Sequence, residues 1–167
     1  MLLNQTLSFI VVSMLAVAVL DIWERIAHHL GGPPSTNWAI IGRWLMAVLT
    51  RGQIFNPKVA ETPPYPRELI IGWIFHYFVG AGYVAVFVIL WKALGIVTPT
   101  FIDGLVFGMA SVLVPWLFFL PVVGGGMMAR KTPEPMVTCL SFLVAHSIFG
   151  IAIALFIKFF WVVEPLA

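Results

Sequence analysis

The sequence predicts an all-α membrane protein: four transmembrane helices, with a short interfacial or re-entrant helix in the first cytoplasmic loop. Three observations predict it. Charged residues make up only 10% of the 167 and apolar ones 61%, against about 25% and 45–50% in soluble domains. The mean hydropathy is +1.03. Most of the apolar residues are gathered into four runs, about 3–25, 69–93, 100–123 and 136–163, each long enough for the roughly 20 residues an α-helix needs to cross the hydrocarbon core. The segments between the runs are too short and proline-rich to fold separately, so residues 1–167 form a single domain.

The first run passes directly into Asp21, Trp23, Glu24 and Arg25. It has no basic segment before it and no small-residue cleavage site after it, so it reads as a retained helix rather than a signal peptide. Gly31-Gly32-Pro33-Pro34 stops it, and Ser35-Thr36-Asn37 then offers an N-cap. The stretch from Trp38 to Leu49 is apolar but only about a dozen residues long, too short to span. It is predicted to lie at the interface or re-enter, with Arg43 in its middle and Arg51-Gly52-Gln53 at its end. Pro57, Pro63, Pro64 and Pro66 make the remainder of this loop, 31–66, extended and irregular. The third run holds Gly104-x-x-x-Gly108, a spacing that lets two helices approach closely. Pro115 predicts a kink in it, and Gly124 to Gly126 form its exit. Those three glycines lack the lysine and spacing of a phosphate loop. Arg130 to Pro135 then make a short turn into the fourth run.

Loop charges orient the chain. Arg25, Arg43, Arg51, Lys58 and Arg67 fall between the first two runs, and Arg130 and Lys131 between the last two. Only Lys92 and Lys158 fall on the other side, a seven-to-two bias. By the positive-inside rule both basic connections are cytoplasmic and both termini periplasmic. The implied partners are the lipid bilayer and, at the basic face, anionic lipid headgroups. Nucleic acid is not expected, because the basic residues are scattered and carry no binding motif. Self-association through the glycine pair would make a homo-oligomer. The lone Cys139 excludes an internal disulfide and any multi-cysteine metal site.

Ionisable side chains inside a bilayer are costly and mark function by default. His76 and His146 lie about 10 Å and 15 Å past the cytoplasmic starts of their helices, at 1.5 Å per residue, and Asp21 approaches the same half from the first helix. Two neutral imidazoles and a carboxylate are suitable ligands for a divalent metal. The same groups relay protons, and paired histidines ligate haem. No His-x-x-x-His spacing is present, so a metal set of His76, His146 and Asp21 depends on tertiary convergence. The alternative is that these residues hold the bundle together: the histidines through Tyr77, Ser111 or Ser147, and Asp21 through Arg25 four residues on. Arg43 is a candidate contact for a lipid phosphate or, alternatively, an interfacial side chain with its head in water. The candidate ligand-binding residues are therefore Asp21, Arg43, His76 and His146. Thr62, Pro63, His76, Gly80 and Trp91 recur 70 residues later as Thr132, Pro133, His146, Gly150 and Trp161, an internal echo that suggests two related hairpins.

Asp21-Ile22-Trp23, Gly42-Arg43-Trp44, Arg51-Gly52, Gly72-Trp73-x-x-His76-Tyr77-x-x-Gly80, Gly124 to Gly126, Lys131-Thr132-Pro133-x-Pro135 and the segment around His146 and Gly150 resemble one family over nearly the whole chain. It is the small integral-membrane family called domain of unknown function 2938. The resemblance implies a four-helix protein of the bacterial inner membrane, and it brings no activity, substrate or cofactor. Three functions fit these residues: a small transport or ion/ligand-binding protein with an intramembrane His/Asp site, a membrane enzyme acting on a lipid-soluble substrate, or an accessory subunit with no site of its own.

Overall fold

The computed structural model describes residues 4–161, and every regular element in it is helical. In hydrocarbon a backbone must satisfy its own hydrogen bonds, which leaves the helix as the form for a spanning segment outside a closed barrel. Four helices are long and apolar enough to cross: α1 (Gln5–His29), α3 (Glu68–Lys92), α4 (Phe101–Val122) and α5 (Pro135–Phe160). Between the first two lies α2 (Trp38–Arg51). Residues 3 and 162–163 of the expected runs fall outside the described residues.

The ends of these helices follow from their sequence. Asn4 Oδ1 accepts from Leu7 N–H at 2.8 Å to open α1, and Gly31 leaves it with φ 91°. Asn37 Oδ1 caps α2 by accepting from Ala39 N–H at 3.1 Å, and Gly52 closes it in the left-handed region at φ 66°. At 14 residues α2 is about 21 Å long, short of the bilayer core. Thr100 Oγ1 caps α4 by accepting from Asp103 N–H at 3.2 Å, and the Asp103 carboxylate accepts from Thr98 N–H at 2.8 Å.

Apolar side chains face outward and small or polar ones inward, as a lipid solvent requires. Leu7, Met14, Ile22, Ile74, Phe78 and Met136 are exposed, whereas Ser8, Ala16, Ala145, Gly150, Ala152 and Ala154 are buried. α1 packs between α3 and α5, α4 lies along α5, and α2 lies on α3. Successive spanning helices run antiparallel. Ser8 at the start of α1 donates to Phe160 O at the end of α5, 2.8 Å away, and Trp91 and Trp161 meet edge-on at 6.4 Å. This far end of the bundle is solidly filled by Val12, Val84, Phe87, Phe107 and Ile153.

Backbones approach most closely at glycines. A Cβ on Gly104 would stand 2.7 Å from Gly150 O, and one on Gly108 would run into His146 O. The Gly104-x-x-x-Gly108 pair is thus occupied by α5 of the same chain. Likewise Gly42 and Gly72 bring α2 and α3 together, each against the other helix's backbone.

α4 is regular only to Ser111. From Pro115 to Phe119 it widens into a π-helical turn; the proline has no N–H to give, so the expected kink takes the form of a wide turn. Below this break α4 leans away from α5 and packs on the first loop. There Phe119 and Val122 join Trp44, Val59 and Phe75 in a second apolar cluster. The proline-rich loop is firmly held: Trp44 Nε1–H donates to Ile54 O at 2.7 Å, Asn56 N–H donates to Val122 O at 2.9 Å, and Gly124, at φ 101°, presses on the Pro57 carbonyl.

Candidate functional site

At the end of the bundle that carries α2, the helices diverge around a cavity of about 730 Å³, within the range that binds small ligands. α1 contributes Trp23 and Glu24 to its wall, α2 Trp38, α3 His76 and Tyr83, α4 Pro115 and Phe119, and α5 Ser141, Ala145 and His146. Its surface is mainly apolar, with two imidazoles among the few polar groups on it.

His76 sits two turns into α3, where Gly72 and Gly80 keep neighbouring backbone and side chains close. Its Nε2–H donates to Asp21 Oδ1 at 2.8 Å, and Tyr77 OH donates to Asp21 Oδ2 at 3.3 Å. Asp21 and His76 are both buried. The Trp38 indole stacks on the His76 ring with centroids 3.9 Å apart and planes 27° from parallel. The first residue of α2 therefore roofs the pair. Glu24 holds the approach to that roof by accepting from Thr36 N–H at 3.2 Å.

His146 sits three turns into α5 and faces α4. Its Nδ1 lies 2.8 Å from Ser111 Oγ, and Ser111 Oγ–H donates to Gly108 O at 2.7 Å. Tyr83 stands edge-on to the ring at 5.9 Å and donates to Ser111 O at 3.4 Å. The structure thus brings Asp21 and His76 into contact and gives His146 a separate partner, with both imidazoles lining the same cavity. Among the described residues no group of three or more His, Cys, Asp or Glu is placed to hold a metal ion, so His76, His146 and Asp21 are not assembled as a three-ligand set.

Arg43 is elsewhere, and each of its nitrogens has a partner within the chain. Its Nε–H and Nη2–H donate to the two carboxylate oxygens of Glu68, both at 2.8 Å, and Nη1 donates to the carbonyls of Ala60 and Thr62. The bidentate bond to Glu68 raises the Arg43 pKa further above its ordinary value. With each of its nitrogens bonded inside the chain, Arg43 fastens α2 and the loop to α3.

Three participants were not legible as such in the sequence. Trp38 reads as an interfacial aromatic, Tyr77 as a partner for a histidine rather than for Asp21, and Glu68 falls just outside the predicted span with no role assigned. Only for Glu68 does the sequence carry a signal: an arginine within an apolar run calls for an acid, and Glu61 and Glu68 are the acids of the segment that follows.

Helix lengths, apolar surface and buried ionisable pairs define a polytopic helical membrane protein. Within that class, residues 10–159 match the model of the protein family of unknown function DUF2938, and the chain belongs to that family. No curated protein and no solved structure matches it significantly.

Proposed function

We propose that this chain is a small binding protein of the bacterial inner membrane that takes a lipid-soluble molecule into the cavity between α3 and α5. The observation that carries this reading is the joint placement of His76 and His146 on the wall of a mainly apolar, ligand-sized cavity. Each ring is oriented from behind, one by Asp21 and one by Ser111. Orientation by a second residue is what a ligand-contacting histidine needs and what mere filling does not. His76 and His146 are polar contacts on the cavity wall, with Asp21 behind His76; Arg43 supports them by holding α2 and its Trp38 in place. The basic residues of both loops gather at the cavity end, which supports a cytoplasmic placement of that end, periplasmic termini and anionic headgroups beside it.

A second reading has support from the Asp21–His76 pair. A carboxylate that fixes one ring nitrogen directs the other as a general base, so the same cavity suits a membrane enzyme acting on a lipid-soluble substrate. The accessory-subunit reading has lost part of its support, since Gly104 and Gly108 are used within the chain.

The test is retention of a small molecule. Protein purified in nanodiscs is extracted with organic solvent and the extract compared by mass spectrometry with that of Val79→Phe and Ser141→Phe, which narrow the cavity from opposite walls. A species present near one per chain in the wild type and lost from both folded variants supports the reading. Identical extracts from all three overturn it.

A further inference from the structure

Hydrogen-bond direction around His146 specifies what it can recognise. Ser111 has a single hydroxyl proton, and two neighbours within reach: Gly108 O at 2.7 Å and His146 Nδ1 at 2.8 Å. A carbonyl oxygen has no proton to offer, so at that separation the hydroxyl must be the donor to Gly108. Its oxygen is then left to accept, and His146 must supply the proton from Nδ1. The neutral ring is held in the Nδ1–H form, with a bare lone pair on Nε2. That nitrogen has no hydrogen-bond partner among the described residues, yet it is not one of the buried polar atoms sealed without a partner. Since His146 lies on the cavity wall and its Nδ1 is turned to Ser111, the unsealed Nε2 is the ring nitrogen left for a cavity ligand, as an acceptor.

We propose, building on the binding reading above, that the cavity's ligand is an apolar molecule carrying a hydroxyl group that donates to His146 Nε2. An ether or ester of the same body would bring an oxygen lone pair against a nitrogen lone pair and leave both unpaired, which a site built on hydrogen bonds rejects strongly. The cavity's apolar and aromatic remainder accepts the body; the serine behind the ring sets which polar head is taken. Ser111 is on this account a positioning residue, acting through the histidine it orients.

The experiment uses protein with ¹⁵N-labelled histidine in phosphatidylcholine nanodiscs, with dodecan-1-ol and its methyl ether as probes. The His146 ring resonances are identified by their loss in His146→Asn. The free protein should show a protonated Nδ1 and an unprotonated Nε2. The alcohol should move the Nε2 resonance upfield to saturation, the ether should leave it in place, and Val79→Phe or Ser141→Phe should abolish the response. Ser111→Ala should release the ring into a mixture of forms and weaken the alcohol's effect while the extract still holds its retained molecule. Equal responses to alcohol and ether, or an Nε2 that is protonated in the free protein, overturn the hydroxyl proposal. If the extracts still differ between wild type and cavity variants, the binding reading stands without it; if they do not, both fall.

Discussion

His76 and His146 stand 70 residues apart at echoing positions, and their surroundings are opposite in kind. His76 donates to a carboxylate, lies under a stacked indole and is reached from three helices, α1, α2 and α3. His146 rests on one neutral hydroxyl, presented by α4, whose proton is already committed to a carbonyl. The glycines four residues on differ as well: Gly80 receives a side chain of Val17, whereas Gly150 receives the backbone of α4. A repeated motif has therefore been fastened in two ways. The lesson is that a histidine's role within a membrane is written by the residue behind it, which lies far away in the chain.

Breaking the frame on the His76 side should have the largest effect. Arg43→Ala leaves the partly buried Glu68 without its cation beside the α2–α3 contact, and the cost should fall at the low end of the about 3–5 kcal/mol that loss of one partner of a fully buried pair brings. The expected outcome is a correspondingly lower unfolding free energy in detergent titration, with the His76 ring resonances moved and those of His146 unchanged. Equal disturbance of both rings would erase the distinction. Gly108→Val strikes the other side: its side chain would meet His146 O, and overpacking of this kind costs about 1–3 kcal/mol. Here the His146 resonances should move and those of His76 stay.

The remaining predictions compare the two hydrogen bonds directly. Asp21→Ala leaves His76 Nε2–H and Tyr77 OH without their acceptor. Interhelical bonds in membranes reach about 1.7 kcal/mol, and this one, made to a carboxylate, should lie near that limit in the same unfolding titration. Ser111→Ala removes a neutral bond and should cost about 0.6 kcal/mol, the membrane average. A Ser111→Ala cost equal to that of Asp21→Ala would mean that the two rings are fastened alike after all.

Much of this frame is legible in the residues themselves. Span positions came within a few residues because bilayer thickness sets the length of an apolar helix. Asn37, Gly52 and Pro115 mark a cap, a stop and a break by local stereochemistry, which needs no tertiary knowledge. What sequence could not provide is choice among partners. Asp21 has Arg25 one turn on along its own helix, yet it accepts from His76 and Tyr77; the arginine is exposed and keeps its charge hydrated, whereas the carboxylate is buried and must be satisfied across the interface. Arg43 illustrates the same limit. Its burden of charge was visible, but the acid that answers it lies on another helix, and only the close approach at Gly42 and Gly72 brings the two together. The glycine pair of α4 signalled a close contact without saying with what.

The wide turn at Pro115 to Phe119 has a consequence for how α4 can change. Such a turn amounts to one residue inserted into an α-helix, a rotation of about 100° for everything beyond it. The stripe that meets α5 before the turn is therefore not continued by the stripe that meets Trp44 and Val59 after it. The two halves of one helix keep separate registers, each answerable to a different partner. Removing a single residue between 115 and 119 would leave the upper stripe intact and swing Phe119 and Val122 off the loop. Substitutions confined to either half, by contrast, can be tolerated or rejected without reference to the other.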